Sequence, residues 1–126
     1  MSGFNGNAVA RNVRQGICKV NVSTWSPLHS GLNAGPSGSN IGELPNRQWV
    51  KIQPRGSNTI RIAIKYANKN LDGTFTVPTS TAHDAIVYPT TSIIEEPIGD
   101  DVRIFARAVQ NGGSSGGFKC VVAEYS

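Results

Sequence analysis

The sequence predicts an all-β fold: an antiparallel β-sandwich with jelly-roll or Greek-key connections and an extended N-terminal arm. Three observations carry this expectation. Several short segments alternate apolar and polar residues with period two. Fourteen glycines and seven prolines punctuate the chain every few residues. There is no internal repeat and no heptad pattern. A length of 126 residues fits one core, read here as a flexible arm at 1–15 and a single sandwich domain at 16–126 with a long loop at 26–46.

The elements follow in chain order. Met1 to Gln15 is rich in glycine and asparagine and lacks periodicity, so it is expected to order against a partner rather than build a core. From Ile17 to Trp25, Cys18, Val20 and Val22 alternate with Lys19, Asn21 and Ser23, as a half-buried strand requires. Ser26 to Asn46 carries seven Gly and Pro residues and reads as a long loop, a contact candidate because loops of such length are usually functional or disordered. Val50 and Ile52 alternate with Lys51 and Gln53. Beyond the turn Pro54 to Asn58, Ile60, Ile62, Ile64 and Tyr66 form a mostly β-branched stripe. These two strands read as a hairpin. Shorter strands are expected at Thr74 to Val77, Ala85 to Tyr88 and Ser92 to Glu95. Val102 to Ala108, a glycine turn, and Phe118 to Tyr125 read as a closing hairpin.

The residue types of common chemistries are present without their geometry. Ser80, His83 and Asp84 are too close along the chain to face one another as a triad, and no G-x-S-x-G elbow accompanies them. His29 precedes Ser30, but it and His83 are expected to be exposed loop histidines. Glu95, Glu96, Asp100 and Asp101 lack calcium-loop spacing. Gly112, Gly113, Gly116 and Gly117 lead into a strand rather than a helix, unlike a phosphate loop. Cys18 and Cys120 have no CxxC or histidine pattern, so zinc is not expected, and both should stay reduced and buried in a cytosol. No enzyme activity, metal or cofactor is expected.

Partners are weighed from charge and aromatic residues. The net charge is +4, with a basic run at Arg47, Lys51, Arg55, Arg61, Lys65 and Lys69 and the acids gathered elsewhere. Such polarity suits solubility or head-to-tail assembly. Nucleic acid is disfavoured, because only Trp49 and Tyr66 interleave with the cations. No apolar run approaches the ~20 residues of a membrane span. Trp49 stands on the opposite parity to Val50 and Ile52 and should face outward, as an interface anchor, the lid of a second small core, or a sugar platform. Trp25, Trp49, Arg47, Lys51 and Arg55 are the expected partner contacts.

The second half of the chain runs LPNRQWVKIQPRGSNTIRIAIKY, then GDDVRIFARAV, a glycine turn, and GFKCVVAEYS. This order resembles small structural proteins of tailed-bacteriophage virions, through Asn46 and Arg47, Gly56, Ser57 and Asn58, and Glu124 and Tyr125. The resemblance covers roughly residues 44–126. It departs from the pattern in a longer stretch between Ala67 and Pro97, and residues 1–40 have no counterpart. It implies a virion protein assembled in the host cytoplasm, a capsid decoration (cement) protein that binds the major capsid protein and stabilises the shell. A homo-oligomer, trimer favoured, would accompany that role. A neck or tail component and a carbohydrate-binding module are the alternatives, with a nucleic-acid binder behind them.

Overall fold

The computed structural model describes residues 12–22, 24–56, 60–79, 85–110 and 117–126. Among the described residues there are eight strands: β1 (Val13–Val20), β2 (Ser26–Leu28), β3 (Trp49–Arg55), β4 (Ile60–Asn68), β5 (Ile86–Pro89), β6 (Ile94–Glu96), β7 (Val102–Gln110) and β8 (Phe118–Tyr125). They form two antiparallel four-stranded sheets, sheet A in the order β1-β8-β3-β6 and sheet B in the order β2-β7-β4-β5. The pairs nest from the chain ends inward, β1 with β8, β2 with β7, β3 with β6 and β4 with β5. That nesting of eight strands in two sheets is the jelly-roll arrangement.

Alternation decides what each sheet buries. In sheet A, Cys18, Val20, Val50, Ile52, Ile94, Phe118, Cys120 and Val122 point inward; in sheet B, Leu28, Ile60, Ile62, Ile64, Ile104, Ala106 and Ala108 meet them. A side chain of this kind, taken fully out of water, contributes roughly 1.5–3 kcal/mol. Pro54 lies in β3, where the β6 ladder, confined to Val50–Ile52, no longer covers that edge, so its missing N–H costs no pairing there.

Several expectations are corrected. The two expected hairpins do not form: β3 and β4 lie in opposite sheets, as do β7 and β8. Each pair buries its apolar stripe in the same core from opposite sides, which periodicity alone cannot distinguish from a hairpin. Val13, Arg14 and Gln15, assigned to the arm, belong to β1 and pair with β8. The loop at 26–46 contains β2 and a short 3-10 turn at Pro36–Gly38. No strand forms at Thr74 to Val77; Phe75 instead packs on the outer face of sheet B, against the cluster of Trp25, Ala63 and Phe105.

Candidate functional site

The two outer faces differ. That of sheet B is partly covered: Trp25 is buried beside Phe105, with the Lys65 ammonium 5.4 Å from its ring centre, and the Arg103 guanidinium lies 4.5 Å from the ring centre of Phe75. These contacts close a second small core.

The outer face of sheet A is open, and the strand register lays its residues in rows. Val13, Tyr125 and Trp49 form the first. Gln15, Ala123, Lys51 and Glu95 form the second. Ile17, Val121 and Gln53 form the third, and Lys19, Lys119 and Arg55 the fourth. Residues facing one another across such a ladder have Cβ atoms about 4.5–5.5 Å apart, so each row is a continuous strip. Val13 is 58% exposed, Ile17 61% and Trp49 38%. The face thus grades from an aromatic, apolar end to a cationic end. Three cations abreast repel one another, and among the described residues none of the three has a salt-bridge partner.

Of the five expected contacts, Trp49, Lys51 and Arg55 share this face. Trp25 and Arg47 do not reach a free surface, which corrects their assignment. Arg47 is 3% exposed. Its Nη1 donates to Glu124 Oε2 at 2.6 Å, its Nε to the Ile98 carbonyl at 3.1 Å, and its Nη2 to the carbonyls of Gly99 and Val102. Glu124 is fully buried and also accepts from the Ser30 backbone N–H (2.6 Å) and hydroxyl (2.5 Å). Arg14 donates to Ser30 Oγ at 2.6 Å and to the Gly42 carbonyl. This network ties the 29–48 segment to the ends of β1 and β8. Asn46, in the left-handed region at φ 61°, donates its backbone N–H to Asp100 Oδ2 at 2.8 Å and sets Arg47 in place. The parity of Glu124, shared with Cys120 and Val122, was the available signal, since an acid on a core face requires a partner. Val13, Ile17 and Tyr125 were likewise marked by outward parity.

The basic run is divided among surroundings: Arg47 inside, Lys51 and Arg55 on the outer face of sheet A, and Arg61 and Lys65 on the parity of Ala63, the outer side of sheet B. No single basic stripe results. His29, expected to be an exposed loop residue, is instead buried, its Nδ1 accepting from the Gly31 N–H at 3.1 Å and its Nε2 without a partner among the described residues. Burial lowers its pKa. Burial also raises the thiols of Cys18 and Cys120, directly opposite each other and both unpaired, to about 11 and about 12; such thiols are poor nucleophiles. Glu43 is held below the usual carboxylate range: burial opposes ionisation, but the Arg103 hydrogen bond at 2.7 Å and the charges of His29 and Arg103 together outweigh it. Ser80, His83 and Asp84, and Gly112, Gly113 and Gly116, lie outside the described residues. Gly117 begins the last strand's approach to β1, where a Cβ would stand 1.9 Å from the Val20 carbonyl oxygen.

Among the described residues no group of three or more His, Cys, Asp or Glu side chains is placed to hold a metal ion, and no helix is long and apolar enough to cross a membrane. What the open face offers is shape, aromatic surface and charge. Compared with known proteins, the chain matches no family model, no curated protein and no solved structure.

Proposed function

We propose that this chain is a non-enzymatic structural protein of a virion, docking through the outer face of sheet A onto the major capsid protein as a decoration (cement) protein. The observation that carries the reading is that face: Trp49 and Tyr125 side by side, Ile17 and Val121 in the centre, and a cationic row at one end. Aromatic anchors flanked by cations are the composition of protein-binding hot spots. The sequence resemblance supplies the kind of partner. Many equivalent sites on a shell would multiply a weak single contact.

Co-sedimentation with undecorated capsid shells tests it. Wild-type protein is expected to pellet with shells and to leave polysaccharide and duplex DNA in the supernatant. Binding to tails or necks but not shells would move it to the neck or tail. Trp49 beside Tyr125 also supports a carbohydrate platform, and saturable binding to glycans with none to shells would establish that second reading instead.

A further inference from the structure

The two open sides of the sandwich carry opposite charge. On one side β1, whose strand partner is β8, stacks over β2. A groove of about 570 Å³ runs along it, lined by Ile17, Lys19, Leu32, Asn33 and Lys119 among others; its charged lining residues are the two lysines. On the other side, β6 pairs with β3 alone, and a groove of about 450 Å³ lies between it and β4–β5. Its lining includes Tyr66, Ile86, Pro97 and Ile98, and its charged residue is Glu96. Glu95 stands on the same strand, with exposed Ile93 two residues before it on the same face. Lys51 lies opposite Glu95, whereas Glu96 has no cationic partner among the described residues.

We propose that copies of this chain join side to side, the basic β1–β2 side of one receiving the acidic β5–β6 side of the next. The occupant of each groove is thus a second copy. Among the described residues both sides present an open strand edge, and unpaired edges are templates for a further strand. The spacing also matches: Ile17 and Lys19 on one edge, Ile93 and Glu95 on the other, each an apolar residue and a charge two positions apart on the outer face. A two-fold contact would oppose lysine to lysine or glutamate to glutamate. A head-to-tail contact opposes unlike charges, and it repeats, closing into a ring when its rotation allows. The contact shares Ile17, Lys19, Lys119 and Glu95 with the margins of the docking face but does not use Trp49, so a Trp49 variant separates the two readings.

The test is molar mass by light scattering over a concentration series at low ionic strength. Wild-type protein is expected to exceed the 13.4 kDa monomer and to fall back as salt is added. Lys19→Glu/Lys119→Glu and Glu95→Lys/Glu96→Lys are each expected to return the monomer mass with an unchanged β circular-dichroism spectrum. Mixed in equal amounts they should again exceed it, because each then offers the charge the other lost. Trp49→Ala should assemble like wild type. A wild-type monomer at every concentration, variants that keep the wild-type mass, or a monomeric mixture would overturn the proposal.

Discussion

Glu124 shows what a single buried charge commits the chain to. Its carboxylate takes Arg47 and two donors of Ser30 in a site without solvent. Removing one partner of a buried pair leaves the other uncompensated, so Glu124→Leu is expected to cost about 3–5 kcal/mol in urea unfolding, and Arg47→Met/Glu124→Leu markedly less than the sum of the single changes. Additive losses would show that the two charges do not depend on each other. The thiols make a prediction of opposite sense with pH. Because folding holds Cys18 at about 11 and Cys120 at about 12 against 9.0 for an ordinary thiol, the unfolded chain releases protons first. Their stabilisation is complete below pH 9 and is lost as the pH rises from 9 towards 11–12. Thiol reagents should label neither cysteine in folded protein at neutral pH and both after denaturation. His29, lowered from 6.5 by burial, works at the other end: its contribution is present above pH 6.5 and lost as pH falls below it, and His29→Phe should flatten that slope.

At the scale of elements, the close approach of the first and last strands is the feature most sensitive to a small change. Adding one carbon at Gly117 places it 1.9 Å from backbone of Val20, which has no flexible end to move aside. Gly117→Ala is therefore expected to cost more than ~1 kcal/mol, read by thermal unfolding, whereas Gly73→Ala has open space and only its φ of 88° to oppose it. Strand identity was largely legible in the sequence, because alternation is local: Ile60, Ile62 and Ile64 mark their own buried face. Strand partnership was not. Val50 and Ile52 lie close in sequence to Ile60, and proximity favours a hairpin, but the chain crosses to the other sheet between them. Trp25 was misplaced for a related reason. Its cover is Phe105 and Phe75, fifty or more residues away, and no pattern around Trp25 reports them. Trp49 was readable because its own neighbours, Val50 and Ile52, fix its parity.

For the whole molecule, the jelly roll divides its labour by surface. The core and the Arg47–Glu124 network hold the sheets together, Trp25 and Phe75 cover one outer face, and the other outer face is open among the described residues. Three of the residues that carry the sequence resemblance, Asn46, Arg47 and Glu124, belong to the first group and build the anchor. The proposed docking face shares Tyr125 with the resemblance but is otherwise a different set, and it decides the functional reading. The most direct measurement is therefore the affinity of Trp49→Ala for undecorated capsid shells beside that of wild type. Trp49 is partly exposed, so its loss should cost the fold about 1 kcal/mol or less. As an interface anchor it should weaken binding by roughly 30-fold or more, the equivalent of ~2 kcal/mol. Binding by the folded variant equal to wild type would contradict the assignment of this face.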